Sequence, residues 1–137
     1  MDIYLNCPDM LDTVVENICQ FERESFGEEP IHNHVDDPEY DMMYIGCQAY
    51  SMFLESTESD DLGYLKEDYG IDVTVDLDFK VMRKNLKKSF EHVWKLMMFL
   101  SEIYPGDIAC FSDGGRTVYK KTKDELYIDY RYWELRD

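Results

Sequence analysis

The sequence predicts an α+β fold, one antiparallel sheet with two main helices packed on one of its faces. Three observations predict it. Ile71, Val73, Val75, Leu77, Phe79 and Val81 alternate with Asp72, Thr74, Asp76, Asp78 and Lys80, the period of a strand with one apolar and one wet face. Leu11 to Phe21 and Leu86 to Tyr104 instead repeat their apolar residues at helical spacing. Asp113-Gly114-Gly115-Arg116 stands between two short apolar runs, the pattern of a tight hairpin. The expected order is β-α-β-β-α-β-β-β.

Taken in order, Asp2–Cys7 reads as a short strand with Ile3 and Leu5 on one side. Pro8 suits the first position of a helix, where its missing N–H does no harm, and Asp9 and Asp12 suit the positive end of the helix dipole. This helix is placed at about Pro8–Ser25, with Leu11, Val14, Val15, Ile18 and Phe21 as its buried stripe and Gly27 as its stop. Glu28–Asp41 reads as a solvated connection. Met42–Met52 alternates again and is assigned as one strand, with Gly46 marking a bulge or a close approach.

Glu55–Asp61 is acidic, lacks apolar residues and reads as an exposed loop. Leu62, Tyr64 and Leu65 suggest one helical turn. The long strand Gly70–Val81 follows. A slip of one residue would turn its six large apolar side chains outward, so its register is tightly set. Asn85 is a suitable N-cap for a helix reaching Tyr104. Leu86, Phe90, Val93, Trp94, Met97, Leu100 and Tyr104 form its stripe, widened by Leu96, Phe99 and Ile103, as expected of the main core helix. Ile108–Ser112 and Thr117–Lys121 are the hairpin strands, and Leu126–Trp133 is the last strand.

A chain of 137 residues is read as one domain. Cys7, Cys19, Cys47 and Cys110 are too far apart for a Cys-x-x-Cys pair. No charged-then-apolar leader follows Met1, so reduced thiols in a cytoplasm are expected. The net charge of −16 is uneven: residues 1–69 hold 18 acids and 2 bases, whereas residues 70–137 hold 12 of each. Such a surface repels phosphates, which argues against nucleic acid and against an anionic membrane. A basic protein partner fits it better.

His32-Asn33-His34-Val35-Asp36-Asp37 is the one metal-like run. It is similar to the His-x-His-x-Asp-His of metallo-hydrolases, but Asp37 stands where the third His belongs. A small metal-dependent enzyme built on His32, His34 and Asp36 is therefore the alternative reading. The shortage of nitrogen ligands favours a solvated acidic loop, with no bound metal or cofactor expected. Asp72, Asp76 and Asp78 share a strand face, and alternation alone accounts for them. There is no Gly-x-Ser-x-Gly, P-loop, dinucleotide fingerprint or His-Glu-x-x-His, so no catalytic residue is assigned.

Gly70-Ile-x-Val-x-Val-x-Leu-x-Phe79, the amphipathic helix after it, Pro105-Gly106-Asp107-Ile108-Ala109 and Asp113-Gly114-Gly115 together resemble a bacterial family. It is the family of immunity proteins that protect kin against contact-dependent swarming-inhibition toxins, a polymorphic toxin system. The resemblance covers about Gly70–Tyr130. It implies a small cytoplasmic protein that neutralises a protein toxin by binding it, without catalysis. If so, specificity is expected in the acidic loops, at Asp36, Asp37, Glu39, Tyr40 and Asp41 together with Glu58, Asp60 and Asp61. Loop positions vary without disturbing a core, and concentrated negative charge steers a basic toxin.

Overall fold

The computed structural model of the chain describes residues 1–36, 41–56 and 63–134. In order, the elements are β1 (Asp2–Leu5), α1 (Leu11–Phe26), β2 (Ile31–His34), β3 (Met42–Gly46), β4 (Tyr50–Ser56) and α2 (Gly63–Tyr69). Then come β5 (Val75–Val81), α3 (Leu86–Ile103), β6 (Ile108–Phe111), β7 (Thr117–Lys121), β8 (Leu126–Ile128) and α4 (Tyr130–Glu134). The strands form one sheet in the order β2-β3-β4-β5-β1-β6-β7-β8, every neighbouring pair antiparallel. The α+β class and the two main helices agree with the sequence reading. Among the described residues, no helix is long and apolar enough to cross a membrane.

The main core lies between one face of the sheet and the two long helices. Ile3 and Leu5 of β1, Ile45 of β3, Met52 and Leu54 of β4, Leu77 of β5 and Ile108 and Cys110 of β6 are sealed from solvent there. Val14, Ile18, Val93, Met97 and Leu100 cover them from α1 and α3. The opposite face is largely open, but α2 covers part of it. Leu65, Ile71, Ala109 and Phe111 form a second, smaller apolar cluster there, with Tyr4 and Tyr69 edge-on to Phe111. Strand β6 is therefore buried on both faces.

Several boundaries depart from the sequence reading, each for a local reason. The chain does not enter α1 at Pro8. Met10 is the cap, and its carbonyl accepts the first N–H groups of the helix, from Thr13 and Val14. Pro8 and Asp9 instead carry the chain from the sheet to the helix layer, and the Tyr104 hydroxyl donates to Asp9 Oδ2 at 2.9 Å. The strand expected from Gly70 begins only at Val75. Gly70 has a φ of 70° and closes α2, with its N–H on Lys66 and that of Ile71 on Leu65. Ile71 and Val73 consequently pack in the second cluster, on the face opposite Val75, Leu77 and Phe79. Parity within the run was read correctly for Val75–Val81 and fails before it.

The connection Glu28–Asp41 contains β2, an exposed edge strand that pairs with β3. Met42–Met52 is two strands, turned by Cys47, Gln48 and Ala49 and closed by the Cys47 N–H on the Tyr50 carbonyl at 3.0 Å. Alternation continues through the turn, which hides it from a periodicity argument. Leu126–Trp133 divides into β8 and α4, because Asp129 Oδ1 accepts the Tyr132 N–H at 2.9 Å and caps a new helical turn. The α3 boundaries match: Asn85 Oδ1 accepts the Lys88 N–H at 3.2 Å.

Phe79 is buried against the Tyr50 ring, with centroids 5.3 Å apart, in the middle of the main core. Replacing it with Ala should lower stability by about 3–5 kcal/mol, the range for large-to-small aromatic truncation. Urea unfolding of the two proteins measures this, and a cost below about 1 kcal/mol would contradict the packing described.

Candidate functional site

Of the residues expected to bind a partner, Asp36 and Asp41 are described and both are exposed. Asp37, Glu39, Tyr40, Glu58, Asp60 and Asp61 lie outside the described residues. The Ser56 N–H donates to the Asp41 carbonyl at 3.2 Å, so the roots of the two acidic segments meet at one end of the β3–β4 hairpin. Asp12 of α1 lies near this end, with His34 Nε2 3.2 Å from its Oδ1, and Glu16 and Glu24 are exposed further along the helix. The only Lys or Arg before residue 63 is Arg23. It is held by Glu29 at 2.5 and 2.9 Å and by Glu16 at 3.7 Å. That hydrogen bonding keeps the Glu29 carboxyl below its ordinary range. The flank thus retains a net negative field.

His32 and His34 lie on β2 opposite Ile45 and Met43, on an exposed edge. His34 Nε2 stands 3.2 Å from Asp12 Oδ1 on α1. Among the described residues, the ligand-type atoms that gather within 4.8 Å belong to a different trio: Glu22, Cys47 and His92. Glu22 is sealed from solvent although it is a carboxylate, because it lies four residues beyond Ile18 on the buried stripe of α1. Its Oε2 accepts the Tyr50 hydroxyl at 2.7 Å. His92 Nε2, from α3, lies 2.6 Å from Oε1 and 2.9 Å from Oε2.

Aromatic rings complete the enclosure. Phe26 stacks on His92 with centroids 3.6 Å apart and planes 11° from parallel, and Tyr50 meets it edge-on. Satisfied hydrogen bonds make a buried carboxylate tolerable where an isolated one would cost several kcal/mol. Cysteine beside histidine and glutamate superficially resembles a nucleophile with its base. Burial and the neighbouring Glu22 charge, however, push the Cys47 thiol up to about 11, and a reactive cysteine needs the opposite shift. Burial likewise raises the Tyr50 hydroxyl well above its ordinary range. The sequence reading passed over Glu22 and Tyr50. The available signal was a carboxylate in register with an apolar helical stripe.

A second group of acids lies on the open face of the sheet. Asp2 pairs across strands with Asp78, and Asp76 with Glu55 and Tyr4. Burial, followed by the charge of Asp2, raises the Asp76 carboxyl to about 8, and Asp76 Oδ1 has no hydrogen-bond partner among the described residues. Alternation therefore does not account fully for Asp76: after burial the largest perturbation comes from Asp2 on β1, ahead of Asp78 on its own strand and Glu55 on β4, and one strand's pattern does not reveal the cross-strand groups. Asp72 stands apart. It precedes β5, and Lys66 donates to its side chain at 2.7 Å. A cleft of about 1050 Å³ opens beside β5, with Phe79, Leu86 and Phe90 on its walls and Lys80, Arg83 and Arg116 among its polar residues. Arg116 is drawn to Asp129 at 2.9 Å and lies over the Tyr132 ring, and the Met1 ammonium pairs with Asp113.

No family model matches the chain, and neither the curated proteins nor the solved structures contain a match.

Two outcomes follow from this geometry. Tyr50→Phe leaves Glu22 one donor short in a buried setting and should destabilise the protein by about 1–3 kcal/mol in chemical unfolding. For Asp76, the folded state holds a proton that the unfolded chain releases near its ordinary value of 3.8. Stability contributed by this group is therefore present below about pH 4 and lost as pH rises through about 8. Asp76→Asn should flatten that decline and be the more stable protein at mildly alkaline pH. An unchanged pH profile of unfolding would remove Asp76 as its source.

Proposed function

We propose that this chain is a non-catalytic immunity protein that neutralises a basic protein toxin by binding it through its acidic flank. The observation that carries the reading is the placement of charge. Asp12, Glu16 and Glu24 on α1 and the exposed Asp36 and Asp41 around the β2–β3 connection bear one sign, with Arg23 already paired. Fields of this kind speed encounter with an oppositely charged partner and act over about a Debye length, roughly 8 Å at physiological salt.

The resemblance to the immunity family supports the same reading, and its residues serve the fold. A side chain at Gly106 would stand 2.6 Å from the Asn6 carbonyl, so only glycine lets the chain pass β1 there. Asp107 accepts the Asn6 N–H with its carbonyl at 2.8 Å and the Asp72 N–H with its Oδ2 at 3.0 Å. Gly115, at a φ of 81°, makes the β6–β7 turn. On this reading these residues belong to the frame, and recognition falls to the exposed acids of the first half. Neutralisation by covering a toxin needs no reactive group, in keeping with a Cys47 thiol raised to about 11.

Co-expression with a toxin domain encoded beside this chain should restore growth, and the purified pair should associate rapidly at low salt. Replacing Glu16 and Glu24 with Gln and Asp36 and Asp41 with Asn should slow association on the order of 10-fold at low salt and flatten its salt dependence. Stability should change by no more than about 0.5 kcal/mol per site, as these positions are exposed. Stopped-flow association at rising salt measures the effect. Equal rates for both proteins would place recognition elsewhere.

A further inference from the structure

We propose that Glu22, Cys47 and His92 form a binding site for one zinc-class divalent ion. The three residues come from α1, the β3–β4 turn and α3, and their ligand atoms lie within 4.8 Å of one another. The donor set is one carboxylate oxygen, one thiol sulfur and one imidazole nitrogen. Sulfur with nitrogen selects zinc, cobalt and similar ions over magnesium or calcium, which prefer oxygen alone. Three protein donors leave one tetrahedral position for water.

The surroundings are those of a built site. Glu22 and His92 are both buried, and Tyr50 donates to Glu22 Oε2 at 2.7 Å, fixing the carboxylate from outside as an outer-shell partner does. Phe26, stacked on His92, fixes the plane of the imidazole. Without metal, His92 and Glu22 bridge their 2.6 Å separation with a hydrogen bond. An ion takes the place of that bridge, and the thiol proton passes to solvent as sulfur coordinates. Cys47 is half-buried in a surface turn beside exposed Gln48, which gives the ion a short path from solvent. A bound ion would tie that turn to both long helices. This inference is independent of the toxin-binding reading, since it concerns a different part of the surface and no partner.

The test uses the full chain, stripped with chelator and titrated with Co²⁺. One equivalent should bind and produce a thiolate-to-cobalt absorption band that Zn²⁺ abolishes, and Zn²⁺ should raise the melting temperature. Cys47→Ala should remove both effects while retaining the far-UV spectrum, with the near-isosteric Cys47→Ser giving the same comparison. Tyr50→Phe should weaken binding about 10–100-fold, the usual cost of losing an outer-shell partner. His34→Ala should change nothing. Absence of a sulfur band at saturating Co²⁺ would overturn the proposal. So would a band that survives Cys47→Ala, or zinc stabilisation lost in His34→Ala and kept in Cys47→Ala.

Discussion

The sheet depends on where its shortest central member is inserted. Strand β1, only Asp2–Leu5, pairs with β5 on one side and β6 on the other. Without it, β2–β5 and β6–β8 would be two separate sheets. Its register places Ile3 opposite both Leu77 and Cys110, so one apolar side chain joins the two halves of the core. Backbone groups just past its end are held as firmly. Thr74 Oγ1 donates to the Cys7 carbonyl and accepts the Cys7 N–H, both at 3.0 Å, and Asn6 is bonded to Asp107. These contacts span most of the chain, and such long-range pairing makes folding slow relative to helical proteins of the same size.

Closing the sheet around β1 also creates the two unusual polar environments. Asp2 is brought beside Asp78 and close to Asp76, where like charges and burial act in the same direction on carboxyl groups. On the helix side, α1 and α3 come together over β4, and Glu22, Tyr50 and His92 meet within hydrogen-bond distance. Among the described residues the first environment offers Asp76 Oδ1 no hydrogen-bond partner, whereas the second is satisfied by donors. Buried polar groups of either kind do little for net stability compared with apolar residues of similar volume. Their presence is more easily understood through what they bind or how they specify the packing.

The division of labour along the chain has a physical basis. The half that balances its charges, residues 70–137, supplies β5 beside the central β1, the main core helix and the β6–β7 hairpin. The half that carries the whole net charge supplies α1 and the β2–β4 edge, which ends in exposed acids. Both halves build the core, with Ile3, Leu5, Val14, Ile18, Ile45 and Leu54 from the first and Leu77, Val93, Met97, Leu100 and Cys110 from the second, while the surplus acids sit mainly at exposed positions of the first.

By itself, the sequence determined the elements with a single clear period. The stripes of α1 and α3, the alternation of Val75–Val81 and the turn before Thr117 all follow from side-chain geometry within a few residues. It misjudged places where two local patterns run together. Ile71 and Val73 continue the strand parity but belong to the closure of α2, and Cys47 and Ala49 continue it through a turn. Only the tertiary structure decided the sheet order, the central position of β1 and the meeting of Glu22, Cys47 and His92. Residues separated by 25 and 45 positions share no periodicity, so their convergence follows from how helices and strands pack, which local propensity does not encode.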